Sequence, residues 1–375
     1  MAGYIFNIGK KVKIVDIIKN GYYSTYINYS KKSGISSAPF EATYADYTTM
    51  TENDNVYFFQ NRKVYGVGKL IKIGDDCKYN NFVGASKCII YNNNEIKDTL
   101  LVKFKKDNPH YRWVCFFEGS PIMYEKGLDM DEILQYKPST FKSLRTNWKK
   151  TFIKIDDEEN NSLKELFYLR LNGKCNEISI SLDKNKIKSK ITDSHKLNYV
   201  DLISSSIEED RLIHEMALEA ATIEKLSLVE DEIFGKWDFR THQVCASPFK
   251  PVDYMDKMDI FAYKYTEVDN CKVISKYMVI ELKRDTANCD TIAQVTNYVD
   301  WICANYAYGD YSLIEAYILA YNFKEDMYDD IEKYSRNYNV GSHPIKVEKW
   351  CDIKFVKYYI DNGQVMYKDV TKKEN

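Results

Sequence analysis

The chain has 375 residues, 29% charged and 45% hydrophobic, with a formal net charge of -2. That length exceeds one ordinary core and predicts two domains or three, in the composition range of a soluble globular protein. No run approaches the roughly 20 apolar residues of a membrane span, and the near-zero charge requires any basic surface to be local.

Nine cysteines are scattered without a C-x-x-C pair. This argues against a zinc ribbon or a disulfide scaffold and for a reducing, cytoplasmic setting. The first ten residues carry no long apolar core and no cleavage pattern, so no signal peptide is expected. The 32 tyrosines accompany plentiful Asn and Lys. We read them mainly as codon bias of an AT-rich genome and only secondarily as stacking surface.

Residues 1–125 are expected to be β-rich. Short β-branched and aromatic runs recur at Val56–Phe59, Val64–Ile73, Lys87–Tyr91, Leu100–Phe104 and Tyr111–Phe117. Asn53-Asp-Asn55 and Gly74-Asp-Asp76 are turn signals between them. A curled sheet or small barrel follows. The phrase Glu52-Asn-Asp-Asn-Val-Tyr-Phe-Phe59, followed by Tyr65-Gly-Val-Gly-Lys69, resembles a segment of the PUA/EVE-like barrels over about 20 residues. That resemblance implies recognition of RNA or of modified DNA bases.

Residues 126–204 change to a helical and basic connecting region. A helix starts near Asp129 and is interrupted at Lys137-Pro138. The segment Phe141-Lys-Ser-Leu-Arg-Thr-Asn-Trp-Lys-Lys150 has two readings. Lys142, Arg145, Lys149 and Lys150 between aromatics suit phosphate contact and base stacking. Phe141, Leu144 and Trp148, spaced three then four, suit the buried face of a helix. The two are compatible, because cations on the outer face still reach phosphate. Asp156-Asp-Glu-Glu159 heads a helix through Leu171, where negative charge meets the N-terminal dipole, and Gly173 stops it. Lys184-Asn-Lys-Ile-Lys-Ser-Lys190 carries a cation at every second position, as a charged strand face or a solvated basic linker.

Residues 205–375 read as an α/β domain. A helix is expected over Glu208–Leu228, then strands at His242–Ala246, Met258–Tyr263 and Tyr277–Leu282. A helix over Thr291–Ala304 is capped by Asp290. The apolar run Leu313–Tyr321 suits a buried strand. A helix near Glu325–Tyr334 and a strand near Ile353–Tyr358 complete a mixed sheet flanked by helices.

The stretch Tyr277-Met-Val-Ile-Glu-Leu-Lys283 organises this domain. As a strand it sends Met278, Ile280 and Leu282 to one face and Glu281 and Lys283 to the other. Taken alone, it suits either an edge strand with a solvated face or a site. If the strands at 258–263 and 277–283 form a hairpin, Asp259 approaches Glu281. Two carboxylates and an amine suit Mg²⁺, a hard cation that keeps several waters, with Mn²⁺ as a substitute. The ion polarises a phosphoryl oxygen and Lys283 orients the attacking water.

Asp259-x21-Glu281-x-Lys283 resembles the D-xn-E-x-K core of the PD-(D/E)XK nucleases. Gln294 and Tyr298, one turn apart, resemble the Q-xxx-Y element of their RecB-like branch. Glu215 or Glu219 matches that branch's helix carboxylate, and His242-Gln243 fits the polar position on the first strand. Met258-Asp-Ile-Phe-Ala, Val279-Ile-Glu-Leu-Lys-Arg284 and Gln294-Val-Thr-Asn-Tyr298 are similar to the C-terminal domain of NucS-type endonucleases over about 205–325. Met258 stands where the motif name places proline. The resemblance implies a restriction-endonuclease-like fold, metal binding by Asp259 and Glu281, DNA as substrate, and a homodimer. Joined to a base-reading N-terminal domain, it implies restriction or anti-phage defence. A mismatch- or structure-specific repair endonuclease and a non-catalytic nucleic-acid-binding module are the alternatives.

Overall fold

Three of the five strand-like runs of the N-terminal half form strands, and their order leaves the sheet open. The computed structural model describes residues 2–28, 36–104, 108–171, 178–228, 231–247, 256–341 and 343–372. Two units divide the chain, residues 1–35 with 46–201 and residues 36–45 with 202–375.

The first unit contains β1 (Gly3–Asn7), β2 (Tyr22–Tyr23), β3 (Asn55–Gln60), β4 (Lys63–Leu70), β5 (Lys78–Asn80), β6 (Trp113–Asp129) and β7 (Phe152–Ile155). The strand order is β2-β6-β4-β3-β1-β7, with β5 also on β6, so β2 and β7 remain as edges. β1, which has no turn signal before it, lies inside the sheet, parallel to β3 and antiparallel to β7.

Two expected strands are irregular, and one side chain explains the first. Arg112 is fully buried. Its guanidinium donates to the carbonyls of Ala85, Lys87 and Ile89 at 2.7, 2.6 and 2.5 Å. Carbonyls taken by a buried arginine are lost to a strand ladder. Near Leu100–Phe104, Asn81 does the same work: its backbone carbonyl accepts from the Leu101 N–H and its side-chain oxygen from the Val102 N–H.

The helices are α1 (Ile14–Asn20), α2 (Ala38–Thr48), α3 (Asn93–Ile96), α4 (Met130–Tyr136), α5 (Lys142–Asn147), α6 (Asp157–Leu171), α7 (Lys184–Lys188) and α8 (Tyr199–Ile203). The segment expected to connect two domains supplies β7, α4, α5 and α6 to the first unit. Leu163, Leu166, Phe167 and Leu171 of α6 join Ile5, Ile153 and Ile155 of the sheet in one core. The basic run at 184–190 is neither strand nor linker. Asp183 caps it by accepting from the Lys186 N–H, and Ile187 is buried. Gly173 lies outside the described residues.

The second unit is built on β10 (Phe239–Cys245), β11 (Lys257–Val268), β12 (Cys271–Ala287), β13 (Ile314–Phe323), β16 (Ile353–Asp361) and β17 (Gln364–Asp369), hydrogen-bonded in that order. Two small hairpins, β8 (Ile207–Glu208) with β9 (Arg211–Leu212) and β14 (Arg336–Val340) with β15 (Lys346–Trp350), stand outside it. β10, β11 and β12 are antiparallel, β12 and β13 are parallel, and so are β13 and β16. The parallel step needs a crossover, and α10 (Cys289–Asn305) provides it. Ile292, Val295, Val299 and Ile302 of α10, at helical spacing, are all fully buried.

β12 is therefore a central strand, not an edge. Met278, Val279, Ile280 and Leu282 are all fully buried, each contributing on the order of 2 kcal/mol. The helix expected from Glu208 starts at Glu215 as α9 (Glu215–Leu228), because Glu209 takes φ 57° in the tight β8–β9 turn. Asn288, not Asp290, caps α10, its side chain accepting from the Thr291 N–H at 3.2 Å. The helix expected near 325–334 is the short α11 (Asp326–Asp330) followed by a 3-10 turn.

Residues 36–45 are the unexpected member of this unit. Phe40, Tyr44 and Ala45 of α2 are buried, and the Tyr44 hydroxyl donates to the carboxylate of buried Glu224. We expect Tyr44→Phe to destabilise the protein by about 1.5–3 kcal/mol, the range for a hydrogen bond to a charged group. Urea unfolding measures this, and an unchanged midpoint would detach α2 from the second unit's stability.

Candidate active site

The site is a row of polar side chains across three neighbouring strands. β11 and β12 pair in register from Ile260 opposite Ile280. One step beyond that last pair, Asp259 falls opposite Glu281. β10 and β11 pair as His242 with Ile260 and Val244 with Met258, so Gln243 falls opposite Asp259. Directly opposed residues project to the same face. Gln243, Asp259 and Glu281 thus share one row, and the register alone places two carboxylates side by side.

The ladder stops there because a side chain replaces a carbonyl. Asp259 Oδ2 accepts the Leu282 N–H at 2.9 Å. Gln243 Nε2 donates to Asp259 Oδ1 at 3.1 Å and to Glu219 Oε2 at 2.7 Å. His242 Nδ1 donates to Glu219 Oε1 at 2.5 Å. Consecutive strand residues ordinarily point to opposite faces, yet His242 and Gln243 both reach Glu219. The backbone permits this because Gln243 has φ 52°, the left-handed region. A non-glycine residue held there costs on the order of 1 kcal/mol, and such strain concentrates at functional sites. The register resumes at Val244 without a slip.

Lys283 Nζ donates to Glu281 Oε1 at 2.6 Å. Glu281 Oε2 is buried and has no hydrogen-bond partner. Burial first, and then the charges of Glu281 and Glu219, push the Asp259 carboxyl well above the usual carboxylate range. Burial also raises Glu281, against the pull of Lys283. For Lys283 itself burial acts downward, but the charge and hydrogen bond of Glu281 outweigh it and the ammonium is raised.

Helix α9 brings Glu219 over the row, buried at 2% exposure. One turn earlier Glu215 accepts the Arg284 N–H at 3.3 Å and adds to the field on Asp259, Glu281 and Lys283. Helix α10 brings Gln294 and Tyr298 together, with Gln294 Nε2 donating to the Tyr298 hydroxyl at 2.8 Å. Burial, followed by the charge of Glu281, holds that phenol far above its ordinary pKa, so it keeps its proton. A cleft of about 620 Å³ opens beside the row, lined by Ile213, His214, Glu215, Lys283, Arg284 and Asp285 among others.

All seven candidate site residues of the second unit, Asp259, Glu281, Lys283, Glu215, Glu219, Gln294 and Tyr298, are therefore linked by hydrogen bonds or by their fields. The candidate DNA-contacting cations belong to the first unit. Phe141 and Leu144 are buried and Trp148 is packed against the core. Lys142, Arg145 and Lys150 are half-buried and Lys149 is exposed. Arg145 donates to the Pro138 carbonyl at 3.2 Å, and Lys149 Nζ lies 5.2 Å from the centre of the Trp148 ring. Sequence reasoning noted Gln243 but missed its bridge between two carboxylates, since a left-handed residue inside a strand leaves no sequence pattern.

No family model matches the chain, and no curated protein matches it. Among solved structures, a repair endonuclease from Pyrococcus abyssi is 24% identical over 22% of this chain and 31% of its own, with a TM-score of 0.16. The chain spans about a third of that protein's length. A hypothetical protein from Leishmania major is 14% identical over 45% of this chain and 96% of its own, with a TM-score of 0.29. At these TM-scores neither likeness bears on function. Among the described residues, no helix is long and apolar enough to cross a membrane.

The raised carboxyls make a stability prediction with a definite sign. A carboxyl whose folded-state pKa exceeds its unfolded value contributes stability below the unfolded pKa and loses it as pH rises through the folded one. Glu281→Gln keeps the acceptor for Lys283 and removes the buried charge. We expect it to stabilise the protein by about 1 kcal/mol at neutral pH, in the range of relieved functional-site strain. The gain should vanish towards pH 4, near the ordinary carboxyl pKa. Thermal melts across pH, without divalent cations, measure this, and a variant that is less stable at every pH would contradict it.

Proposed function

We propose that the second unit is a divalent-metal-dependent phosphodiesterase that cuts DNA. The observation carrying this reading is the buried carboxylate pair Asp259 and Glu281, with Glu281 Oε2 unpartnered and Lys283 alongside, next to an open cleft. Crowding buried carboxylates is costly, and four of them here act on one another against one ammonium. A cation resolves that imbalance.

The donors fit Mg²⁺, with Mn²⁺ as substitute, because they are hard oxygens. Among the described residues no three metal-ligating side chains form a ready-made cage. That suits an ion which takes one or two carboxylates and keeps its waters. Asp259 and Glu281 would hold it, and when bound it would supply charge neutralisation and polarise the phosphoryl oxygen.

The chain's own residues do the rest. Glu281 fixes Lys283 Nζ, which aligns the attacking water and meets charge developing on the phosphoryl oxygens. Gln243 holds Asp259 and Glu219 at one spacing through a single amide. Tyr298 accepts from Gln294 and so has its own proton to donate towards the carboxylates or a substrate phosphate. A separate β-rich unit in the same chain supports target choice by the first unit, and restriction or anti-phage defence is the role we assign. Cutting both strands of a duplex would use two such sites, as in a homodimer.

Supercoiled plasmid tests this. We expect nicking or linearisation with Mg²⁺ or Mn²⁺, none with chelator, and losses of about 100-fold or more in Lys283→Ala and Glu281→Ala, as for removal of a preorganised charge. Full activity in Glu281→Ala, or no cleavage by the unaltered chain with either ion, would sink the assignment. Cleavage rates on base-modified and unmodified plasmid decide the defence role; equal rates count against modification-dependent restriction.

A further inference from the structure

His214 lines the cleft beside Glu215, Lys283 and Arg284, with its side chain 31% exposed. It is held from the inside by Glu41 of α2, whose side chain is wholly buried. Glu41 Oε1 accepts the Ser206 hydroxyl at 2.6 Å and His214 Nδ1 at 3.2 Å. A carboxylate oxygen only accepts, so the hydrogen of that contact sits on Nδ1. Nε2 is then the ring atom that exchanges a proton with the contents of the cleft.

The arrangement is expensive as mere architecture. Glu41 Oε2 is buried with no hydrogen-bond partner, and leaving a buried carboxylate oxygen unsatisfied is destabilising. What the molecule gains is an imidazole of fixed tautomer and orientation with a countercharge behind it. Among the described residues, the charged groups around His214 are Glu41 on α2, Glu215 on α9, and Lys283, Arg284 and Asp285 at the end of β12. Lys283 is engaged by Glu281, and Arg284 by Asp285 and the Ile213 carbonyl. Neither cation gives up a proton as readily as an imidazole does.

We propose that His214 is the proton donor to the departing oxygen of the phosphodiester, positioned by Glu41; this rests on the phosphodiesterase reading above. The oxygen of the attacking water forms a bond to phosphorus and the water's proton passes to solvent. The phosphorus–oxygen bond to the leaving sugar breaks, and its electron pair stays on the leaving oxygen. That oxygen takes the Nε2 proton of the imidazolium. The ring is left neutral with its hydrogen on Nδ1, facing Glu41, and regains the other proton from solvent.

The test uses the full chain with Mg²⁺ and DNA in which sulfur replaces either bridging oxygen at the bond that the unaltered protein cuts. A thiolate leaves without a proton. We expect His214→Gln, whose amide still meets Glu41, to cleave ordinary DNA about 100-fold or more slowly, the usual worth of general acid catalysis. On DNA with sulfur at the leaving position it should match the unaltered protein within about threefold. Glu41→Gln should show the same selectivity to a smaller degree, and serves if His214→Gln melts out. Equal losses on both substrates, or no loss on ordinary DNA, overturn the proposal. If the unaltered chain cuts neither substrate, the phosphodiesterase reading falls and this one with it. If it cuts both and Lys283→Ala abolishes both while His214→Gln shows no selectivity, only the role of His214 falls.

Discussion

Two buried carboxylates, Asp259 and Glu281, face each other across the end of the β11–β12 ladder, and much of the second unit is arranged around that opposition. Like charges directly opposed on neighbouring strands repel, and burial sharpens the repulsion. Each neighbour answers it. The Leu282 N–H leaves the ladder to bond Asp259, Lys283 folds back onto Glu281, and Gln243 enters the left-handed region so that one amide spans Asp259 and Glu219. The strain at Gln243 and the orphaned oxygen of Glu281 are local costs, supported by the apolar burial of the strands around them.

That support comes from both faces of β12 and from distant chain. Helix α10 covers the sheet with Ile292, Val295, Val299 and Ile302, while α9 brings Glu215 and Glu219 to the row. Ala38 also lines the cleft, and it belongs to residues 36–45, separated from α9 by about 170 residues of sequence. The second unit is thus discontinuous in sequence, and a chain beginning at residue 205 would lack Glu41 and Tyr44. Division into two units does not mean division into two stretches of sequence.

Legibility differed between the halves for physical reasons. In the second unit, period-two alternation on β12, an apolar helical face on α10 and an apolar run on β13 each reflect burial by regular elements, so they show in one dimension. The hairpin joining Met258–Tyr263 to Tyr277–Leu282 also brings Asp259 to Glu281 by local pairing. In the first unit, Lys87–Tyr91 and Leu100–Phe104 have strand-like composition, yet their backbone groups bond to Arg112 and Asn81. A buried side chain outcompeted the ladder, and propensity does not register that. At Phe141–Lys150 the apolar spacing was readable, whereas the half-burial of Lys142, Arg145 and Lys150 depended on what packed around them.

The amino-acid sequence by itself determined the elements of the second unit's sheet and the company of Asp259, Glu281 and Lys283, because strand period and hairpin pairing are short-range. It also placed Gln294 one turn from Tyr298. Only the tertiary structure decided that β12 is central, that both Glu215 and Glu219 act on the row, that Gln243 bridges two carboxylates, and that Glu41 stands behind His214. Those contacts join residues from 16 to 173 positions apart, and they depend on which helix covers which face of the sheet. No periodicity encodes that choice; it follows from the packing of the whole unit.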